Sequence, residues 1–291
     1  MDCKKALTEA EGDFDKAIEI LRLKGQKVAA KRGDRETGEG AILASTNGAG
    51  DFGALIGLNC ETDFVAKNEE FVAVAQSILD VALNGQLTSK DELLAQTFPG
   101  ESITIAEKIT EQIGKIGEKI EIGSFDTLAG AQVSAYIHPG NRLATLVAFD
   151  ANVGEGGRDV AMQAAAMAPV ALDESTIPAD LIEKERGIGK ELAIQEGKPE
   201  EMAAKIAEGR LKKWFKEATL VNQAFIKDGK INIAQYVDSL SNGAKATGFC
   251  RAALDCTAGN KIEIAKGDPN GSPFLFSVRP VKEYCGYLYP Q

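Results

Sequence analysis

The segment ALIGLNCETDFVAKNEE, residues 54–70, decides how this chain begins to fold. Its apolar run, Ala54–Leu58, predicts a buried strand. Asn68, followed by two acidic residues, is typical of a helix N-terminus. Phe64 lies in the short connection between strand and helix, and such connections run over the surface. A phenylalanine there either folds back as a lid over its own core or is displayed to a partner, and the chemistry alone favours the lid.

The composition limits the classes of protein to which the chain can belong. Its 291 residues are 44% hydrophobic and 26% charged, which is typical of soluble globular proteins with room for two domains. The formal net charge of −10 disfavours direct binding of nucleic acid and suits a partner with a basic face. The sequence contains no apolar run long enough to span a bilayer and no signal core, so we expect a cytoplasmic protein that does not enter membranes.

Residues for covalent catalysis are few. His138 is the only histidine, and the five cysteines include no CxxC pair, which disfavours a zinc site and a disulfide framework. The segment 153–159 resembles a dinucleotide fingerprint, but Asp159 occupies the position of its third glycine. The sequence therefore predicts a protein that is not an enzyme and has no cofactor and no metal site.

The N-terminal residues predict a small helical module. Two short helices are expected over residues 2–25, with Gly25 ending the second, and residues 26–39 are predicted to be a polar linker. Two helices this short cannot bury an apolar face alone, so we expect a further helix in front of them. That face consists of Phe14, Ala17, Ile18 and Leu21.

A strand, turn, strand and helix order occurs twice in the central part of the chain. It predicts two similar α+β subdomains, residues 40–127 and residues 128–254. Within the second, residues 177–219 predict an antiparallel helical hairpin whose turn is Gly197–Pro199. Residues 255–291 form an atypical tail, which we expect to pack loosely, to be dispensable and to carry free thiols at Cys256 and Cys285.

Five short blocks in this order resemble the translation elongation factor Ts family, over about residues 1–254. The blocks are MDCKKAL (1–7), TDFV (62–65), YIHPG (136–140), EGRLKKW (208–214) and TGFCR (247–251). The resemblance implies a nucleotide-exchange factor for the GTPase EF-Tu. It also implies that the N-terminal helices are an incomplete module similar to a ubiquitin-associated fold, and that the hairpin touches the partner or a second copy, so that a dimer is expected there.

The resemblance assigns roles to particular residues. Thr62, Asp63, Phe64 and Val65 would bind EF-Tu and displace its Mg²⁺, with the Phe64 ring inserted between helices and Asp63 anchoring the insertion. His138 would press on the phosphate-loop side of the nucleotide pocket. Additional contacts would come from Met1, Asp2, Phe249 and Arg251.

One alternative to nucleotide exchange stays open on the sequence. It is a non-catalytic adaptor, in which Phe64 is an internal core lid and the hairpin is the interaction surface.

Overall fold

A computed structural model of the chain describes residues 2–254. Helices and strands both contribute to it, consistent with the predicted α+β class. The predictions for Met1, for the tail 255–291 and for the thiols of Cys256 and Cys285 lie outside the described residues.

Two N-terminal helices pack on each other through small side chains. Helix α1 spans Asp2–Glu9 and helix α2 spans Phe14–Lys31. The apolar face predicted on α2 is divided, because Phe14 and Ile18 are exposed. The buried contact between the two helices is made by alanines: Ala6, Ala10 and Ala17.

Helix α2 passes through Gly25, where we predicted its end. A Cβ on Gly25 would lie 2.5 Å from the carbonyl oxygen of Thr110 and 3.5 Å from Cα of Gly114, both in helix α6 (Ile105–Ile116). The glycine therefore allows two helices to approach closely, and it does not terminate one. In consequence the connection to the first strand is shorter than predicted, because residues 26–31 are helical.

The first sheet is antiparallel, with the order β1-β2-β3. Its strands are β1 (Glu39–Thr46), β2 (Phe52–Cys60) and β3 (Glu121–Ala129). The helices between β2 and β3 are α3 (Asp63–Ala66), α4 (Glu69–Gly85), α5 (Lys90–Ala95) and α6 (Ile105–Ile116). Asn68 caps α4 as predicted, since its side chain accepts a hydrogen bond from the Glu70 N–H. Helix α5 was not predicted.

The second sheet has the same order of connections. A hairpin of β4 and β5 comes first, helices follow, and the last strand, β8, pairs antiparallel with β5. The strands are β4 (Gln132–Ile137), β5 (Leu143–Phe149) and β8 (Ala246–Ala253). Helices α7 (Gly156–Met167) and α10 (Ile233–Leu240) and a short ribbon, β6 (Ala224–Phe225) with β7 (Asp228–Asn232), complete this half.

Within residues 2–254, three cores hold the two sheets and their helices together, besides the small alanine contact of α1 with α2. One lies between the first sheet and α4 and α6, and a second lies between the second sheet and α7 and α10. The third is shared by the two sheets: Leu55 and Leu146, both fully buried, meet there with Val133. The approach is close, because a Cβ on Gly53 would lie 2.7 Å from a Val133 methyl.

The predicted hairpin consists of α8 (Ala179–Gln195) and α9 (Glu200–Ala218). Its seam is built from small residues: Gly189, Ala193, Ala203 and Ala207 are buried there. Large apolar side chains of the two helices take only a small part in this packing, since four of them are exposed: Ile188, Leu192, Ile194 and Met202.

Candidate partner-binding site

Phe64 is displayed to solvent, and it does not cover the core. Helix α3 is a single turn with no buried residue, and the side chain of Phe64 is 83% exposed. Its neighbours Val65 and Ala66 pack against the first core, which fixes the turn to the body and leaves the ring outside. The internal-lid alternative for Phe64 is therefore wrong, because the side chains beside it take the position that a lid would occupy.

Asp63 is already paired in the free chain. Lys67 donates a hydrogen bond from Nζ to Asp63 Oδ2 at 2.7 Å, four residues along the chain. This hydrogen bond and the lysine charge lower the pKa of Asp63. The carboxylate is half-exposed and carries a negative charge at neutral pH, so it can accept a hydrogen bond from a partner.

His138 lies in the tight turn between β4 and β5. The turn closes with a hydrogen bond from the His138 N–H to the Leu143 carbonyl at 2.8 Å, and Gly140 adopts a φ of 91° that favours glycine. The imidazole is exposed. Its Nδ1 lies 3.0 Å from the Tyr136 hydroxyl, and the guanidinium of Arg158 lies over the Tyr136 ring, 5.6 Å from its centroid. The ring of His138 is thus oriented by a residue of its own strand.

Phe64 and His138 lie at the same end of the two sheets. Strand β2 ends at Cys60, which is paired in register with Glu39 at the start of β1. Glu39 in turn forms an ion pair with Arg142, at the end of the His138 turn. The turn that carries Phe64 and the turn that carries His138 therefore flank one edge of the molecule, as two contacts with one partner require.

The additional contact residues differ in accessibility. Phe249 is fully buried in the second core, so its prediction as a surface contact is wrong. Strand β8 is covered on both faces: Phe249 points to the helices, and Cys250 points to the core shared by the sheets. Arg251 is half-buried and donates a hydrogen bond from Nε to the Ala165 carbonyl at 3.4 Å. Asp2 begins α1.

Residues 2–254 contain no group of three potential metal ligands, and none of their helices is long and apolar enough to cross a membrane. An open cleft of about 200 Å³ lies between α4 and α6. Its two lysines are already paired with carboxylates, Lys108 with Glu101 and Lys115 with Glu70.

A family model described as elongation factor TS matches residues 61–255, more than half of the chain. The match begins next to the Phe64 turn and includes His138. The chain belongs to the elongation factor Ts family. The family is one of translation elongation factors, so the resemblance seen in the five sequence blocks is confirmed.

Individual members of the elongation factor Ts family are similar over most of their length. Elongation factor Ts of Flavobacterium psychrophilum is 54% identical over 257 residues, which cover 87% of this chain and 92% of that protein. The protein of Christiangramia forsetii is 51% identical with the same coverage. That of a Hydrogenobaculum species is 45% identical over 256 residues, 86% of this chain and 91% of the relative.

Tyr136 was missed by the sequence reasoning, although a signal was present. Residues two apart on a strand point to the same face, and His138 directly follows β4, so Tyr136 and His138 are natural neighbours. A tyrosine two positions before an exposed histidine indicates that the imidazole is held by a hydrogen bond.

Proposed function

We propose that this chain is a guanine-nucleotide exchange factor that acts on EF-Tu in the cytoplasm during translation elongation. The observation that carries the proposal is the exposed ring of Phe64 on a one-turn helix anchored to the core by its neighbours. Membership of the elongation factor Ts family supports EF-Tu as the partner.

The proposed mechanism needs no acid, base or covalent intermediate. A GTPase holds GDP through backbone N–H groups, a lysine and Mg²⁺ around the phosphates. An exchange protein that binds the nucleotide-free GTPase more tightly than the GDP-bound GTPase lowers the affinity for GDP. Bound GDP lowers the affinity for the exchange protein by the same ratio. Release is therefore driven by binding energy alone, and the chain is not an enzyme in the covalent sense.

The TDFV turn supplies the main wedge in this proposal. The Phe64 ring enters between helices of EF-Tu and disturbs the Mg²⁺ side of its pocket. Thr62 and Val65 hold the turn, and Asp63 exchanges Lys67 for a polar group of the partner. Burying one phenylalanine contributes roughly 1.5–3 kcal/mol, or between one and two factors of ten in affinity.

A single wedge of that size requires support from other contacts. His138, at the same edge of the molecule, supplies a second contact on the phosphate-loop side. Arg251 and the N-terminal residues Met1 and Asp2 are proposed as further contacts. A dimer through the hairpin stays a prediction.

Release of a fluorescent GDP analogue from EF-Tu, followed by stopped flow, tests the proposal. The wild-type chain is expected to accelerate release. Phe64→Ala is expected to slow factor-dependent release about 10- to 100-fold at subsaturating factor, with an unchanged melting temperature, since the ring is exposed in the free chain.

Ile226→Ala is the matched control, because it removes another exposed apolar side chain, outside the Phe64 turn. It is expected to leave both the melting temperature and the release rate close to those of the wild type. A wild-type chain that binds EF-Tu without accelerating release would contradict the proposal and support the adaptor.

A further inference from the structure

The one-turn helix that carries Phe64 is too short to fix the direction of the ring by itself. Helix α3 has four residues and no buried side chain, and an isolated helix this short is unstable in water. Val65 and Ala66 attach the C-terminal side of the turn to the first core, and the direction in which the chain enters the turn depends on the two residues before it, Glu61 and Thr62.

Both of these residues are bound by one carboxylate from a distant loop. Glu118 Oε2 accepts hydrogen bonds from the backbone N–H of Glu61 at 3.1 Å and of Thr62 at 3.0 Å. Glu118 Oε1 accepts a third from the Thr62 hydroxyl at 2.7 Å. Hydrogen bonds to a charged acceptor are stronger than those between neutral groups, so this set fixes both the backbone and the side chain at the entry to the turn.

The loop that carries Glu118 is bound in return. Glu61 Oε1 accepts a hydrogen bond from the Lys119 N–H at 2.6 Å, and Arg32 Nη1 lies 2.7 Å from each oxygen of the same carboxylate. Burial alone would raise the pKa of Glu61, but the Lys119 N–H and the Arg32 guanidinium outweigh it and lower the pKa. The two segments therefore bind each other through both carboxylates, an arrangement called here the Glu118 clamp. Arg32, which directly follows α2, binds the Glu61 carboxylate and so connects the clamp to that helix.

The Thr62 hydroxyl binds Glu118 and does not cap the helix that follows it. Thr62 occupies the N-cap position of α3, with φ −124° and ψ 152°, but its side chain makes no capping hydrogen bond. A threonine N-cap typically stabilises a helix by about 1 kcal/mol. Here the hydroxyl binds Glu118, so the turn is fastened to the body of the protein.

We propose that Glu118 is a positioning residue for nucleotide exchange, which acts by holding the Phe64 turn in the direction required for insertion. The proposal rests on the proposed function. If Glu118 is removed, the ring is unchanged but is correctly directed for only a fraction of the time. The apparent affinity then falls by that fraction. The concentration of factor at half-maximal release rises, while the maximal release rate is retained.

The experiment measures GDP release from EF-Tu over a range of factor concentrations. Glu118→Ala is expected to raise the half-saturating concentration about tenfold with little change in maximal rate, and Glu118→Gln, which keeps one acceptor oxygen, less. Glu121→Ala is the matched control. Its carboxylate lies close in the chain and accepts a hydrogen bond from the Thr37 hydroxyl. Its ion pair with Lys119 involves only the Lys119 Nζ, so the variant leaves the Lys119 N–H bond to Glu61 and the Glu118 bonds in place.

A double variant separates positioning from general destabilisation. If Glu118 acts through the ring, then adding Glu118→Ala to Phe64→Ala causes no further loss of exchange activity. A full additional loss in the double variant would overturn the proposal. So would a half-saturating concentration in Glu118→Ala equal to that of the wild type.

Two further readouts keep this proposal distinct from the proposed function. Amide hydrogen exchange of Glu61 and Thr62 in the free chain is expected to accelerate in Glu118→Ala. Unchanged protection of these two amides would overturn the proposal that Glu118 holds the entry to the turn. A wild-type chain that binds EF-Tu without releasing GDP would overturn the proposed function alone. In that case the affinities of the same variants for nucleotide-free EF-Tu decide the role of Glu118, with equal affinities overturning it.

Discussion

Cys60 ends the strand that leads to the Phe64 turn, and its thiol is fully buried. Sγ donates a hydrogen bond to the Thr62 carbonyl at 3.2 Å. Burial, with a smaller effect from the nearby Glu118 carboxylate, raises the pKa of Cys60 to about 12 from an ordinary value of 9.0. The thiolate is the nucleophile in alkylation, so the folded protein protects this cysteine both sterically and electrostatically.

Cys60 is accordingly expected to resist iodoacetamide at pH 8 in the native protein and to react once urea unfolds the chain. Between pH 9.0 and about 12 the thiol ionises in the unfolded chain but not in the folded one. The free energy of unfolding therefore falls as the pH rises through that range. Peptide mapping by mass spectrometry checks the labelling, with the buried Cys250 as a companion. Rapid native labelling of Cys60 would contradict its burial.

His138 is expected to contribute less to exchange than Phe64, because it supports a second contact. His138→Ala should slow GDP release severalfold at subsaturating factor, and less than Phe64→Ala does. Tyr136→Phe, which removes only the hydroxyl that orients the imidazole, should give a release rate between those of the wild type and His138→Ala. Stopped-flow release rates for the two variants check the order, and rates equal to the wild type would remove His138 from the site.

At the scale of single residues, the sequence predicted which residues to single out better than it predicted which side chains are exposed. It singled out Phe64 and His138, and both are exposed. It could not show that Phe249 is buried while Arg251, on the same face of β8, is half-exposed, because that depends on which helices cover the strand. The contact of Glu118 with Thr62 joins segments far apart in the chain and leaves no local pattern.

Among the elements, glycines mark close packing as well as ends. Gly25→Ala is expected to lower the free energy of unfolding by about 1–3 kcal/mol, because the new methyl group would meet the Thr110 carbonyl and force α2 away from α6. Urea unfolding of the variant measures this change.

Gly209→Ala in α9 is the control for Gly25→Ala. No atom lies within 4 Å of the added Cβ, and alanine favours the helix over glycine by about 0.5–1 kcal/mol, so this variant should be more stable. If both variants were stabilised, the contact of α2 with α6 would be absent in solution.

The elements predicted best were those with a strong local signal. The buried strand predicted over Ala54–Leu58 lies within β2, and α4 was found from its Asn68 cap. The end of α2 was misplaced because glycine is read as a terminator unless the partner helix is known. Helix α5 was missed because six residues carry too little periodicity.

The whole molecule is expected to unfold as one unit, because the two sheets share a core. Leu146 is fully buried in that core. Leu146→Ala should lower the free energy of unfolding by about 2–5 kcal/mol and accelerate amide exchange in β2 and β5 by the same factor. Acceleration confined to the second sheet would show that the halves unfold separately. Ile226→Ala, an exposed apolar position, serves as the control.

The joining of the two halves was beyond prediction from local patterns. The repeated order of strands and helices indicated two similar units, and each does contain a three-stranded antiparallel sheet. Local patterning could not give the pairing of Leu143 with Ala253, or the burial of Leu55 and Leu146 in one core. Both join residues that are distant in the chain.

The hairpin of α8 and α9 sets how far the protein can reach. Its helices contact mainly each other, and it is fastened at its base, where the Val170 N–H donates to the Ala218 carbonyl at 2.8 Å and Gln223 donates to the Glu217 carbonyl at 2.8 Å. The arm is about 26 Å long at a rise of 1.5 Å per residue. Adding about seven residues to each helix would move its tip roughly 10 Å outward without altering the three cores, so evolution can change the span of this arm independently of the body that carries the Phe64 turn.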